Sequence, residues 1–239
     1  MKTTGDSLLP AEANRRMFDG LAPRYDRLNA LLSFGLDQRW RRREVAALAP
    51  RDGEHYLDVG CGTGDVAMEV LRRAPGCRVT GLDPSDRMLA LATAKATRAG
   101  LQDRFAAAIG DVLHLPFADG AFAGITSAFA LRSFVDRAGA FREMRRVLAP
   151  GGRISLLELT VPRNPLLRLG YRLHTRTLGV VVARVVCGAV GPYRFLCGSV
   201  DRFPTAPAIV AELAAAGFAD ARVQTLTGGV ATLYLGRVP

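Results

Sequence analysis

The stretch Tyr56-Leu-Asp-Val-Gly-Cys-Gly-Thr-Gly-Asp65 constrains the fold more than any other part of the chain. An apolar run that reads as a strand ends in an acid, and Gly60, Gly62 and Gly64 then turn the backbone into a helix. Glycine reaches left-handed backbone angles and lets the main chain approach a ligand, while the start of a helix presents unpaired N–H groups. Further on, Gly81-Leu-Asp-Pro84 closes a second apolar run, with Asp83 placed to hold the two hydroxyls of a ribose. Strand, glycine turn, helix and strand in that order call for an α/β sheet with an adenosine-type ligand at its mouth.

The same alternation continues along the chain. Strands are expected at 54–59, 77–83, 104–109, 122–129 and 153–158, and helices at 64–73, from Ser85 to near Gly100, and at 136–148. Pro150-Gly-Gly152 reads as a turn, and Pro207 is tolerated in the first turn of a helix over 205–216. Two last strands, 218–226 and 230–236, are joined by a link too short for a parallel crossover, so the final strand runs antiparallel. The expectation is a single α/β domain over 1–239: a seven-stranded, mostly parallel sheet with an antiparallel last strand and helices on both faces. A helical cap over 8–48, with Asp37 as the N-cap of Gln38-Arg-Trp-Arg-Arg-Arg43, and a lid insertion at about 161–204 complete it. Asp58, Asp83, Asp111 and Phe129 all fall at carboxyl ends of strands, where one pocket would collect them.

Spacing narrows the ligand. The dinucleotide fingerprint G-x-G-x-x-G fails, because the glycines are Gly60-x-Gly62-x-Gly64 followed by Asp65 and Val66, and no lysine is near for a phosphate loop. The Asp-x-Gly-x-Gly-x-Gly turn resembles motif I of class I S-adenosylmethionine-dependent methyltransferases, which implies their Rossmann-like fold and S-adenosylmethionine as cofactor. A sulfonium donor carries no phosphate, so the acids Asp58 and Asp65 beside the glycines are tolerable.

Composition bounds the partners. The net charge is +10, and the excess is almost entirely arginine, with Lys2 and Lys95 as the lysines. Between Glu158 and Asp201 there is no acid, but there are arginines at 163, 168, 172, 176, 184 and 194. Such a balance favours anionic partners. Cys61, Cys77, Cys187 and Cys197 show neither a C-x-x-C pair nor zinc spacing, so free thiols in a reducing cytoplasm and no metal are expected. No apolar run reaches membrane-spanning length, and the polar Met1-Lys-Thr-Thr-Gly-Asp6 lacks the core of a signal peptide.

Four separated stretches stand out: Phe18, Ala22, Tyr25-Asp26, Asn29, Ser33, Gly35 and Arg39-Trp40; the block Leu57-Asp58-Val59-Gly60 with Asp83; Leu115-Pro-Phe117 through Phe129-Ala-Leu-Arg132 and Arg146-Val-Leu-Ala-Pro-Gly-Gly152; and Tyr193-Arg-Phe-Leu196, Ser199, Phe203-Pro204, Gly217-Phe218 and Gly228-Gly-Val230. Together they resemble the ubiquinone/menaquinone biosynthesis C-methyltransferases. The resemblance implies donor contacts at Thr63, at Asp83 on the ribose, at Asp111 and Val112 along the adenine, and at Ala128, where the family has a serine. Tyr25, Asp58, Gly60, Gly62, Gly64 and Met88 complete the expected donor site. The family's Phe-Gly-Leu-Arg-Asn stands here as Phe129-Ala-Leu-Arg-Ser133.

The implied reaction is S-adenosylmethionine-dependent C-methylation of a prenylated quinol, demethylmenaquinol or the benzoquinol of ubiquinone synthesis. Another small or lipid acceptor, such as a phospholipid amine, is the alternative, and a non-catalytic donor-binding or RNA-associated protein is a third reading. A ring carbon attacks a methyl group once a ring hydroxyl has lost its proton, so a base and an oxyanion stabiliser are required. Arg132 is a poor base and reads as the stabiliser, or else as half of a structural salt bridge. Tyr25 and Asp26 position donor or ring, or pack. His55 reads as structural, His114 sits on a loop near the donor edge, and His174 in the lid is the histidine candidate for the active site. Arg168, Arg172 and Arg176 share one side of a helix among leucines and valines. That pattern reads as a solvated face or as a peripheral element on an anionic membrane surface. Nucleic acid is not an expected partner, since aromatic residues for base stacking are sparse there. A homodimer is compatible with the sequence.

Overall fold

The computed structural model describes residues 11–187 and 191–239, so residues 8–10 of the expected cap and 188–190 of the expected lid lie outside the described residues. Strands β1 (His55–Val59), β2 (Arg78–Asp83), β3 (Phe105–Ile109), β4 (Phe122–Ala128), β5 (Leu148–Leu159), β6 (Ala219–Leu226) and β7 (Ala231–Arg237) form one sheet. Their order is β3-β2-β1-β4-β5-β7-β6. β1 pairs in parallel with β2 and β4, while β7 runs antiparallel to both β5 and β6. Strand order reverses at β1 and β4, which opens a crevice at their carboxyl ends.

Alternation along β1 divides the core. Tyr56 packs with α3 (Leu36–Leu48), α4 (Asp65–Arg73) and α5 (Asp86–Arg98) on one face. Leu57 and Val59 pack with α6 (Arg137–Val147) and α10 (Ala206–Ala215) on the other. The helix starts follow from their capping residues: the Ser85 hydroxyl accepts the Met88 N–H, and the Asp136 carboxylate accepts the Gly139 N–H.

Two local expectations are corrected. The cap is helical, built of α1 (Ala11–Leu21), a 3-10 turn over Ala22–Arg24, α2 (Tyr25–Leu32) and α3, and Gly35 in the left-handed region caps α3. Asp37 therefore lies inside the first helical turn of α3, where it is 3% exposed. Pro150-Gly-Gly152 does not precede β5; it is accommodated inside that strand by a register shift, with Phe122 opposite Leu148 and Gly124 opposite Arg153. The expected lid contains α7 (Pro165–Arg176), α8 (Leu178–Cys187) and α9 (Gly191–Arg202), with α8 packed on α2 and α9 on the 3-10 turn Leu131–Ser133 that follows β4. No described helix is long and apolar enough to cross a membrane.

Candidate active site

The glycine turn is held by β2. The Gly60 and Cys61 N–H groups donate to the Leu82 carbonyl at 2.7 and 3.0 Å, and the Asp83 carboxylate accepts the N–H groups of Gly62 and Ser85, both at 2.9 Å. Gly60 has φ +65°, and a Cβ there would stand 2.7 Å from the Ala130 Cβ. Each Asp83 oxygen thus has one backbone donor and a second lone-pair direction free for a ribose hydroxyl. Burial pushes the Asp83 pKa up, and the two backbone donors pull it back.

In front of this turn is a cavity of about 470 Å3, within the usual range of small-molecule sites. Tyr25, Gly60, Gly62, Asp83, Met88, Asp111, Val112 and Ala128 line it. The other three expected donor contacts, Asp58, Thr63 and Gly64, are not on its wall. Asp58 sits behind the turn and accepts the Ala67 N–H at 3.2 Å and the Thr126 hydroxyl at 3.0 Å, so it ties α4 to β1 and β4. Burial raises its pKa to about 7. Thr63 donates its hydroxyl to Asp26 at 2.6 Å, and Gly64 backs onto Ala92 of α5. These residues shape the turn from outside the cavity.

Asp26 is likewise turned away from both cavities. Its carboxylate meets Lys95 at 2.9 Å, Lys95 also bonds Asp65, and Gln38 reaches Asp65 at 3.1 Å. Together with the Ser85 hydroxyl bonded to Asp19 at 2.5 Å, this network fastens the helical cap to the glycine turn.

A second, smaller chamber of about 110 Å3 adjoins the first, and Tyr25 and Phe129 line both. Phe129 forms the partition at the end of β4 with φ +62°, a left-handed angle that a bulky residue adopts only when its surroundings enforce it. Its N–H is bound to the Leu157 carbonyl at 2.7 Å, its ring meets Trp40 edge-on at 6.4 Å, and the Arg41 guanidinium lies 5.0 Å from the ring centre.

Arg132 and His174 both reach the smaller chamber. Arg132 Nη1 donates to Glu158 Oε1 at 2.5 Å and the Arg132 backbone N–H to Oε2 at 3.0 Å. Glu158 is fully buried, and the Leu159 N–H supplies a third donor to it. So the salt bridge and the chamber wall are one arrangement: the carboxylate grips one corner of the guanidinium, which has further N–H groups to offer a ligand. The His174 Nε2 lies 2.8 Å from the Leu32 carbonyl, which can only accept. Nε2 therefore carries a proton, and Nδ1 is the ring nitrogen left to meet a ligand.

The chamber also contains Asp37, Tyr171 and Tyr193, none of which was expected. Tyr171 had a readable signal, since it lies one helical turn before His174 on the same side of α7. Asp37 was read as a cap, and its place beside Phe129 depends on tertiary packing. His55 bonds Thr80 at 2.9 Å, and His114 lines neither cavity. Among the described residues, no group of His, Cys, Asp and Glu forms a metal site.

Residues 9–237 match the profile of the ubiE/COQ5 methyltransferase family. A demethylmenaquinone methyltransferase of Thermus thermophilus is 45% identical, with the alignment covering 93% of this chain and 100% of the relative. The ubiquinone/menaquinone biosynthesis C-methyltransferase UbiE of Geobacter sulfurreducens is 40% identical over 94% of this chain and 88% of its own. Among solved structures, a SAM-dependent methyltransferase from Aquifex aeolicus superposes with a TM-score of 0.60 at 15% identity, covering 83% of this chain and 89% of that one. The last likeness concerns the fold alone.

Proposed function

Because the chain belongs to the ubiE/COQ5 methyltransferase family, we propose that it moves a methyl group from S-adenosylmethionine to a ring carbon of a prenylated quinol, demethylmenaquinol in particular. The observation that carries this reading is the pair of cavities meeting at Tyr25 and Phe129, with the Arg132 guanidinium on the wall of the smaller one. The residues of the larger cavity fit the donor: a carboxylate with two open lone pairs for ribose, Asp111 and Val112 for the adenine edge, and glycines that admit the rest. S-adenosylmethionine supplies an electrophilic methyl on a sulfonium sulfur.

Everything else is asked of the chain. Phe129 and Tyr25 hold the ring and the donor in line across the partition, which converts an encounter into a positioned reaction. Arg132 stabilises the ring oxyanion, with Glu158 fixing its orientation. His174 Nδ1 takes the hydroxyl proton; the ring carbon then gains the methyl as the sulfonium C–S bond breaks and S-adenosylhomocysteine leaves. Loss of the ring C–H proton with return of a proton to the oxygen restores the aromatic quinol. An amine acceptor fits less well, because it develops no oxyanion for the Arg132 guanidinium to meet. Naming of the Thermus and Geobacter relatives supports the quinol over other acceptors.

Quinone profiling of a strain lacking the gene tests the proposal by mass spectrometry. Accumulation of a quinone short by one methyl group is the expected result, and an unchanged profile overturns it.

A further inference from the structure

Eleven large apolar side chains are exposed among the described residues, and eight of them lie on α2, the turn after it, α7 and α8. Leu166, Leu169 and Leu173 are 79%, 57% and 57% exposed, Val181 and Val185 58% and 79%, and Phe34 70%. On α7, Tyr171, His174 and Thr175 face the smaller chamber. At about 100° per residue, Leu166, Leu169 and Leu173 then fall about 160° away, on the side turned out of the molecule. Arg172 and Arg176 flank that apolar stripe, and Arg163 and Arg184 stand nearby in sequence, all exposed. No ion pair holds these four among the described residues, and the segment from 159 to 200 contains no acid. Phe34 carries the same surface to the chamber's rim, since its ring lies 5.1 Å from that of His174.

We propose that this face seats on the surface of an anionic phospholipid bilayer, with the rim of the acceptor chamber turned toward the lipid. Leucine and valine side chains enter the boundary between headgroups and acyl chains while the arginines meet phosphate and anionic charge. A second copy of the chain fits poorly: a two-fold contact would set arginines against arginines with no acid in the segment to neutralise them. Nucleic acid fits poorly too, because the exposed groups are aliphatic apart from Phe34 and offer little to stack on.

Flotation with phosphatidylcholine vesicles, with and without phosphatidylglycerol, tests this. The protein should partition onto the anionic vesicles at least about tenfold more than onto neutral ones at low salt, and less at high salt. The double substitution Leu169→Glu, Leu173→Glu should lower that partition by about tenfold or more. It should leave methyl transfer to a quinol with a short, water-soluble tail within about twofold of wild type, since neither side chain lines the chamber. Equal binding to both vesicle types, retained binding by the double variant, a dimer broken by that variant in place of vesicle binding, or retention on an oligonucleotide instead would each overturn the proposal. Wild-type protein that floats with vesicles but methylates no quinol would leave this inference standing and remove the quinol reading.

Discussion

At the scale of single residues, the pair Arg132 and Glu158 joins stability to chemistry. Replacing Arg132 with Gln leaves a fully buried carboxylate without its cation, which costs about 3–5 kcal/mol. Adding Glu158→Gln removes the orphaned charge and should restore most of that stability in denaturant titrations. Turnover should remain about 100-fold down in the double variant, because the oxyanion stabiliser is still missing. Recovery of turnover along with stability would mean that the guanidinium serves packing alone. Asp58 permits a pH test. Its folded pKa, near 7, lies above its ordinary 3.8, so it favours the folded state when protonated. That contribution is present below 3.8 and is lost as pH rises through about 7, with a magnitude of at most a few kcal/mol. Asp58→Asn should flatten the fall in stability over this window, and an unchanged slope would place the dependence elsewhere. Asp83 was legible from its place at a strand end, but the retreat of Asp58 behind the turn was not, because motif spacing does not say which side of a turn a side chain takes. Phe129 gave no warning either, since no residue type announces a left-handed phenylalanine.

At the scale of elements, the cap and the glycine turn are joined through Asp26, Thr63, Lys95 and Asp65. Asp26 is partly exposed, so its ion pair contributes less than about 1 kcal/mol to folding. Its effect should appear in binding instead. Asp26→Asn is expected to weaken S-adenosylmethionine three- to tenfold by titration calorimetry with little change in melting temperature, through loss of hold on the turn. Unaltered affinity would show that the cap does not organise the donor site. Helix starts at Ser85 and Asp136 were readable because a side chain at the right offset satisfies a free N–H. The breaks in the cap were only half readable: Pro23 and Gly35 mark them, but Phe34 at φ +52° does not. Reading Asp37 as an N-cap followed the usual preference, and the left-handed Gly35 displaced it by starting α3 earlier.

For the whole molecule, the antiparallel last strand followed from the short Thr227-Gly228-Gly229 link, and the parallel remainder from the alternation of strands and helices. The order of strands did not follow from spacing, yet it decides which carboxyl ends share a crevice. The smaller chamber shows the same limit. Its wall gathers Asp37 from the cap, Arg132 from the 3-10 turn after β4, and Tyr171 and His174 from α7, groups far apart in the chain. Residue types made Arg132 and His174 candidates, but only packing brings them to one space beside the donor cavity. On the proposed function, these two spaces serve one transfer, from a sulfonium to a quinol carbon. The most direct test incubates the purified protein with methyl-labelled S-adenosylmethionine and reduced demethylmenaquinone, and locates the label in the product by mass spectrometry. Label is expected on a ring carbon of menaquinol, with the Arg132→Gln, Glu158→Gln protein about 100-fold slower. Label on oxygen, on a lipid amine, or nowhere in the quinone would contradict it.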